Sequence, residues 1–285
     1  MSRFLVFGRS GQVARELATL LPDADFMGRE QIDLVQTDRI AAAIEELRPA
    51  AIINAAAYTA VDKAETEQDQ ARLLNSDAPA RMARTAARLD IPFLHISTDY
   101  VFDGSGDQPW QEGDATGPLG IYGKTKLAGE REIAAQDGRW AVMRTSWVFS
   151  RHGNNFVKTM LRLGRERDAL NIVADQVGGP TAAADIARTL VQMANDMVAG
   201  GEVRGLYHYS GASAVSWADF AREIFAQAQI DCEVRDIATA DYPTPARRPG
   251  NSRLDCSRLQ KDLGVRQPDW REGLRNVLVE WDKII

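Results

Sequence analysis

Phe4-Leu-Val-Phe7-Gly8-Arg-Ser-Gly11-Gln-Val-Ala14 decides the fold of this chain. Four apolar residues read as a buried strand, and the apolar periodicity from Gln12 to Leu21 reads as a helix closed by Pro22. Small residues between them permit a tight turn and bring a diphosphate close to the helix N-terminus. The spacing is G-x-x-G-x-x-A rather than G-x-G-x-x-G, and a helix entry that needs glycine for its own sake reads the same way. The loop therefore gains its meaning from the rest of the chain.

Outward from that loop, apolar runs alternate with helical patterns. Asp25 to Met27 is a short strand, and Thr37 or Asp38 begins a helix that Pro49 follows. Ala51 to Ala57 is the next strand, Ala78 to Leu89 a helix, Phe93 to Ser97 a strand. Gly104 to Gly120 is a Gly/Pro/Asp-rich loop, and Ala141 to Thr145 another strand. The alternation predicts an α/β fold, a doubly wound parallel Rossmann-type sheet covered on both faces. Beyond Trp147 the rhythm changes: helices over Asn154–Arg165, Asp185–Val198, Trp217–Gln227 and Trp270–Ile284, and brief strands at Asn171–Ala174 and Leu206–Tyr209. Residues 1–150 are expected to form the dinucleotide-binding domain, rejoined by about 171–210, and 151–285 a smaller substrate lobe.

Composition narrows the function classes. A 285-residue chain with 45% hydrophobic and 26% charged residues is ordinary for a globular protein. A formal charge of -6 argues against a nucleic-acid binder, which needs a basic face. No apolar stretch reaches membrane-spanning length, Met1–Gly8 is too short for a signal peptide, and Cys232 and Cys256 give no disulfide framework. The expected location is the cytoplasm.

The chemistry is expected at Tyr122-Gly-Lys-Thr-Lys126, with Thr98 at the end of the Phe93 strand. Side chains four apart share a helix face, and a nearby cation favours a phenolate. A phenol beside a hydroxyl is a proton donor or acceptor for an alcohol/ketone couple. Thr98 and Trp147 follow strands, at the carboxyl rim where open α/β sheets bind ligands. Trp147 suits a sugar face, or plain core packing. Arg248 and Arg253 are candidate cations for a diphosphate, and equally ordinary surface arginines. Arg29, after the second strand, suits a 2′-phosphate, and Glu30 a free ribose hydroxyl; the balance favours NADPH with NADH tolerated.

Ser97-Thr-Asp-Tyr-Val-Phe-Asp-Gly104, Tyr122-Gly-Lys-Thr-Lys-Leu-Ala-Gly-Glu130 and Arg144-Thr-Ser-Trp147 resemble the extended short-chain dehydrogenase/reductase superfamily. Within it they resemble the dTDP-4-dehydrorhamnose reductase family. Asn154-Asn-Phe156, Asp175-Gln-x-Gly-x-Pro-Thr181 and Arg248-Pro-Gly-Asn-Ser-Arg-Leu254 fit the same family, so the resemblance spans nearly the whole chain. It implies reduction of the C4 ketone of dTDP-4-dehydro-L-rhamnose by NADPH or NADH. Tyr122 would supply the proton, Lys126 hold the nicotinamide ribose, and Thr98 bond the reacting oxygen. Asp99, Trp147, Asn155, Arg248 and Arg253 would contact substrate. Gly8, Gly11, Gln12, Val13, Asp33, Leu34, Ala57, Tyr58 and Thr59 would line the dinucleotide. Some members of the family hold magnesium at a dimer contact; Glu16 matches one such position but residues 183–185 do not clearly supply the rest. No metal is therefore expected, and a homodimer is only weakly favoured. Two other readings use the same residues: a nucleotide-sugar epimerase or dehydratase, and a non-catalytic dinucleotide-binding subunit. Tyr100 stands where a dehydratase needs glutamate beside its aspartate.

Overall fold

The computed structural model describes residues 3–282. Its chain order is β1 (Leu5–Phe7), α1 (Gln12–Leu20), β2 (Asp25–Met27), α2 (Thr37–Leu47) and β3 (Ile52–Asn54). Two short helices follow, α3 (Val61–Ala64) and α4 (Gln68–Arg72), then a π-helical turn Leu73–Asp77 that runs into α5 (Ala78–Arg88). β4 (Phe93–Thr98), α6 (Ile121–Ala134) and β5 (Trp140–Thr145) complete the first half. The second half holds β6 (Val148–Phe149), α7 (Phe156–Glu166), β7 (Ala169–Val173), β8 (Val177–Gly178), β9 (Thr181–Ala182), α8 (Ala183–Val198) and β10 (Gly205–His208). After these come β11 (Val215–Ser216), α9 (Trp217–Ala228), β12 (Glu233–Ile237), β13 (Asn251–Ser252), α10 (Ser257–Leu263) and α11 (Trp270–Asp282). Residues 283 and 284 of the expected last helix lie outside the described residues.

The main sheet has six parallel strands in the order β10-β5-β4-β3-β1-β2. Strand order reverses between β1 and β3, so a crevice opens beyond their carboxyl ends. Val6, Ile53, Leu94 and Met143 face one apolar layer with Leu17 of α1 and Ile186, Leu190 and Met193 of α8. Leu5, Phe7, Ile52 and Phe93 face the other, with Ile40, Ile44 and Met82. Alternate residues of each strand thus supply both cores, which is why the strands are apolar throughout. As the sequence suggests, the strand near 206 joins the sheet, with Leu206 opposite Val142.

A third core unites α7, α9 and α11 through Phe149, Met160, Phe220, Phe225, Trp270 and Leu274. Here Ser216 caps α9 by accepting from Asp219 N, the end signal expected from the sequence. A strap from Ala246 to Asp255 leaves this lobe and crosses the rim of the main sheet. Ala246 N donates to Asp62 Oδ1 (3.2 Å), Asn251 N to Gly104 O (2.9 Å), and Trp110 N to Arg253 O (2.9 Å).

Helix α6, which carries Tyr122, is tied down at several points. Glu65 Oε1 accepts from Ile121 N at its first turn (2.8 Å), and Asn75 Nδ2 donates to Thr125 Oγ1 (3.2 Å). Farther along, Glu130 takes a forked bond from Arg144 of β5 (Nη2–Oε2 2.6 Å, Nε–Oε1 3.0 Å). Both side chains are 3% exposed or less. Removing one partner of such a pair strands the other charge. Glu130→Ala is expected to lower the free energy of unfolding by about 3–5 kcal/mol in urea titrations at neutral pH. A loss below about 1 kcal/mol would mean that the pair does not hold α6 to the sheet.

Candidate active site

Gly8 follows β1 at φ +113°, where an L side chain is strained. A Cβ there would also sit 3.1–3.2 Å from the backbone of Ala55 and Ala56. That close approach places the loop at the strand-order reversal. The N-terminus of α1 follows with Gly11 as N-cap, no side-chain cap and no acidic residue in its first turn. Its free N–H groups suit a diphosphate, so the loop fits a dinucleotide.

Not every residue expected here offers its side chain. Val13 is buried in the sheet core, leaving only its backbone for a ligand. The Gln12 amide is engaged on all sides: Oε1 accepts from Ser150 Oγ (2.8 Å) and Asn155 Nδ2 (2.9 Å), and Nε2 approaches Val148 O (3.4 Å). Asn155, expected to touch substrate, caps α7 with Oδ1 and gives Nδ2 to Gln12 and to Ser150 O (2.7 Å). It stitches the lobe to the nucleotide loop, because both ends of its amide are committed there. Tyr58 turns its hydroxyl out to Glu67 (2.6 Å), while its backbone pairs with the Asn75 side chain. Asp33 Oδ1 accepts from Val35 N (3.2 Å), and Leu34 packs on the sheet core. Ala57 and Thr59 flank Tyr58, Ala57 half-buried and Thr59 exposed. Arg29 is exposed beyond β2. Arg9 lies across Gly28 beside it, a neighbour that the sequence reading did not single out.

Thr98 ends β4 as the cap of a 3₁₀ turn, its Oγ1 accepting from Tyr100 N (3.2 Å) and donating to Asp99 Oδ1 (3.1 Å). The Tyr122 phenol lies beside the same hydroxyl, which opposes the upward push of burial on its pKa. Asp99 is 2% exposed, with Ser252 beside it and Oδ2 lacking a hydrogen-bond partner among the described residues. Burial pushes its carboxyl up to about 6, against the bonds from Ser252 and Thr98. Ser252 and the Trp147 indole both crowd Gly178, whose Cβ would lie 2.8–2.9 Å from them. One contact chain thus runs Tyr122, Thr98, Asp99, Ser252, Gly178, Trp147. Trp147 adopts φ +49° and stacks on Trp217 at 3.5 Å between ring centroids. Packing and a half-exposed aromatic face are both present.

Burial moves the Tyr122 phenol upward, opposed by the Thr98 bond and aided by the charges of Asp99 and Tyr100. The expected cationic help from Lys126 is not among these influences. Lys126 is 1% exposed and turns Nζ to Ile96 O (2.6 Å) and His95 Nε2 (3.0 Å), the polar atoms that β4 offers. Tyr122 instead meets Tyr100 edge-on, with 5.5 Å between ring centroids. Arg248 spans the crevice, donating to Tyr100 Oη (3.3 Å) and Asp62 Oδ2 (2.6 Å). Arg253 turns to Asn251 Oδ1 (3.0 Å). Glu16 pairs with His152 (3.3 Å). His95, Asn54, Asn75 and Glu65 shape the site but carry no motif of their own; His95 and Asn54 are marked by being polar in apolar runs, whereas Asn75 and Glu65 stand among other polar residues and give no signal.

The match to the family described as "RmlD substrate binding domain" runs over residues 2–282. A dTDP-4-dehydrorhamnose reductase of Sinorhizobium fredii is 44% identical, with 97% of this chain and 96% of that protein covered. The chain belongs to the dTDP-4-dehydrorhamnose reductase family. Two solved structures of such reductases superpose closely. That from Clostridium acetobutylicum has TM-score 0.92, 35% identity, and 98% and 99% coverage of this chain and that one. The Bacillus anthracis enzyme, solved with NADP, has TM-score 0.93, 33% identity and the same coverage. The overall fold of these reductases is that of this chain.

A carboxyl that ionises near pH 6 when folded and at 3.8 when free binds more protons folded than unfolded between those values. Its contribution to stability therefore falls as pH rises through that window, by about 3 kcal/mol in full. Asp99→Asn removes this cost. The variant is expected to gain about 1 kcal/mol on the wild type between about pH 5 and about pH 7.5, read from urea midpoints. A pH-independent difference would contradict the buried carboxylate.

Proposed function

We propose that this chain reduces the C4 ketone of dTDP-4-dehydro-L-rhamnose to dTDP-L-rhamnose, as an NAD(P)H-dependent oxidoreductase of nucleotide-sugar biosynthesis. The observation that carries this reading is the approach of the Thr98 hydroxyl to the Tyr122 phenol at the rim of a dinucleotide fold. The coenzyme, when bound, supplies the hydride. Tyr122 Oη gives its proton to the carbonyl oxygen, and Thr98 Oγ1 bonds that oxygen as charge develops. Burial suits the donor role, since a phenol kept protonated is ready to give its proton. Lys126 holds the nicotinamide ribose. Backbone N–H groups of Gly11, Gln12 and Val13 face the pyrophosphate, with Gly8 giving the close approach and residues 33–34 and 57–59 on the adenosine side.

On the substrate side, Asp99 and Trp147 meet the sugar and Arg248 the diphosphate. Arg253 lies farther along the strap, in the same role. Division of labour follows the lobes, with residues up to about 150 on the coenzyme and the strap and lobe on the sugar nucleotide. The proposed setting is the cytoplasm; among the described residues, no helix is long and apolar enough to cross a membrane, and Cys232 and Cys256 are free thiols. A homodimer is the proposed assembly.

The test is coenzyme oxidation at 340 nm with dTDP-4-dehydro-L-rhamnose beside its UDP counterpart. Turnover with the dTDP sugar is expected, and none with either coenzyme overturns the proposal. Tyr122→Phe is expected to lower kcat by about 10²–10⁴ with coenzyme affinity retained. Replacing Arg9 and Arg29 together by Ala is expected to raise KM for NADPH at least about tenfold and leave that for NADH unchanged. Equal effects on both coenzymes would assign the 2′-phosphate elsewhere.

A further inference from the structure

Behind the proposed chemical centre lies a buried polar array that the reaction above does not use. Asn54 ends β3 and His95 lies within β4; they are 1% and 0% exposed. Asn54 Oδ1 accepts from Ala56 N (3.1 Å), which fixes the amide and turns Nδ2 to His95 Nδ1 (2.9 Å). Nδ1 must therefore be the acceptor. Burial alone favours a neutral imidazole. Its one proton accordingly sits on Nε2, which points at Lys126 Nζ from 3.0 Å. An N–H facing an ammonium is two donors in opposition, whereas facing an amine it is a hydrogen bond. Ile96 O accepts from the same nitrogen (2.6 Å), satisfying one of its own protons.

We propose that His95, locked in one tautomer by Asn54, is a positioning residue that favours the amine form of Lys126 over its ammonium. The titratable and charged groups bearing on this lysine are His95 from β4 and Glu130 from its own helix. Glu130 favours the charged form but is itself forked to Arg144 of β5, and burial outweighs it. Around and above its midpoint near pH 8, Lys126 then takes a proton from solvent when oxygen acceptors reach it. A ribose diol supplies such acceptors, so coenzyme binding and proton uptake are coupled. That consequence rests on the role given to Lys126 above; the lowered proton affinity does not.

The chain has six lysines, few enough to follow singly by ¹³Cε NMR of lysine-labelled protein, with Lys126→Met for assignment. One resonance is expected to titrate near pH 8, well below the rest. Asn54→Asp is nearly isosteric and keeps the acceptor for Ala56 N. It also turns the facing atom into an acceptor, so Nδ1 takes the proton and Nε2 accepts from the ammonium. The midpoint should then rise by at least about one unit, a tenfold change in proton affinity. His95→Gln, which offers the ammonium an oxygen, should move it the same way and serves if the first variant fails to fold. Lys126 titrating with the other five lysines, or a midpoint unmoved in the folded variants, would overturn the proposal. Absence of reductase turnover would leave this readout untouched and count against the proposed reaction alone.

Discussion

The registration of α6 against β4 is the constraint on which the rest of the site depends. A lysine nitrogen donating to the Ile96 carbonyl fixes the helix at its second turn. The Glu130–Arg144 fork fixes it one turn further on, against the neighbouring strand. Those anchors leave little freedom for the phenol one turn earlier, which comes to rest on Thr98 and edge-on to Tyr100. Gly123 and Gly129 allow the same close packing, since a side chain at either would strike the backbone of Tyr100 or Asn75. Position is thus set by polar bonds in a dry interface, where each is worth more than it would be in water.

The second lobe is joined to this frame by hydrogen-bonded stitches beside an apolar cluster in which Leu254 and Cys256 meet Val101, Phe102 and Leu127. Asn155 reaches Gln12 from the lobe side. Arg248 reaches Asp62 and Tyr100. Each stitch takes up a side chain that could otherwise face a ligand, as with the amides of Asn155 and Gln12. Trp147 sits at the junction in a left-handed conformation, held by its stack on Trp217. Strain of this kind persists only where surrounding packing over-determines it.

Local physics made the sheet legible from the residues. Strands such as Leu5–Phe7 and Phe93–Thr98 are apolar on both faces because helices cover both, and that pattern needs no distant partner to be recognised. The meeting of Thr98 with Tyr122 was legible for the same reason, as a strand end facing a helix start. What the sequence hid depends on direction and on distant partners. Spacing put Tyr122 and Lys126 on one helix but could not say that Nζ would turn to β4. Asn54 and His95 stand in otherwise apolar segments and Asn75 beside Ser76 and Asp77, and their partners lie 17 to 50 residues away. Short elements such as β12 and α10 were also missed, being too brief for periodicity to register.

The strap over the crevice bonds across 184 and 186 residues of chain, from Ala246 and Arg248 back to Asp62. A growing polypeptide emerging from the ribosome can pair β1 to β5 with one another before α8 and β10 arrive to cover and extend the sheet. It cannot roof the crevice until the segment near Asp255 has left the exit tunnel. Synthesis therefore ends with the step that completes the sugar side, and a chain stopped short would retain a coenzyme fold without its cover.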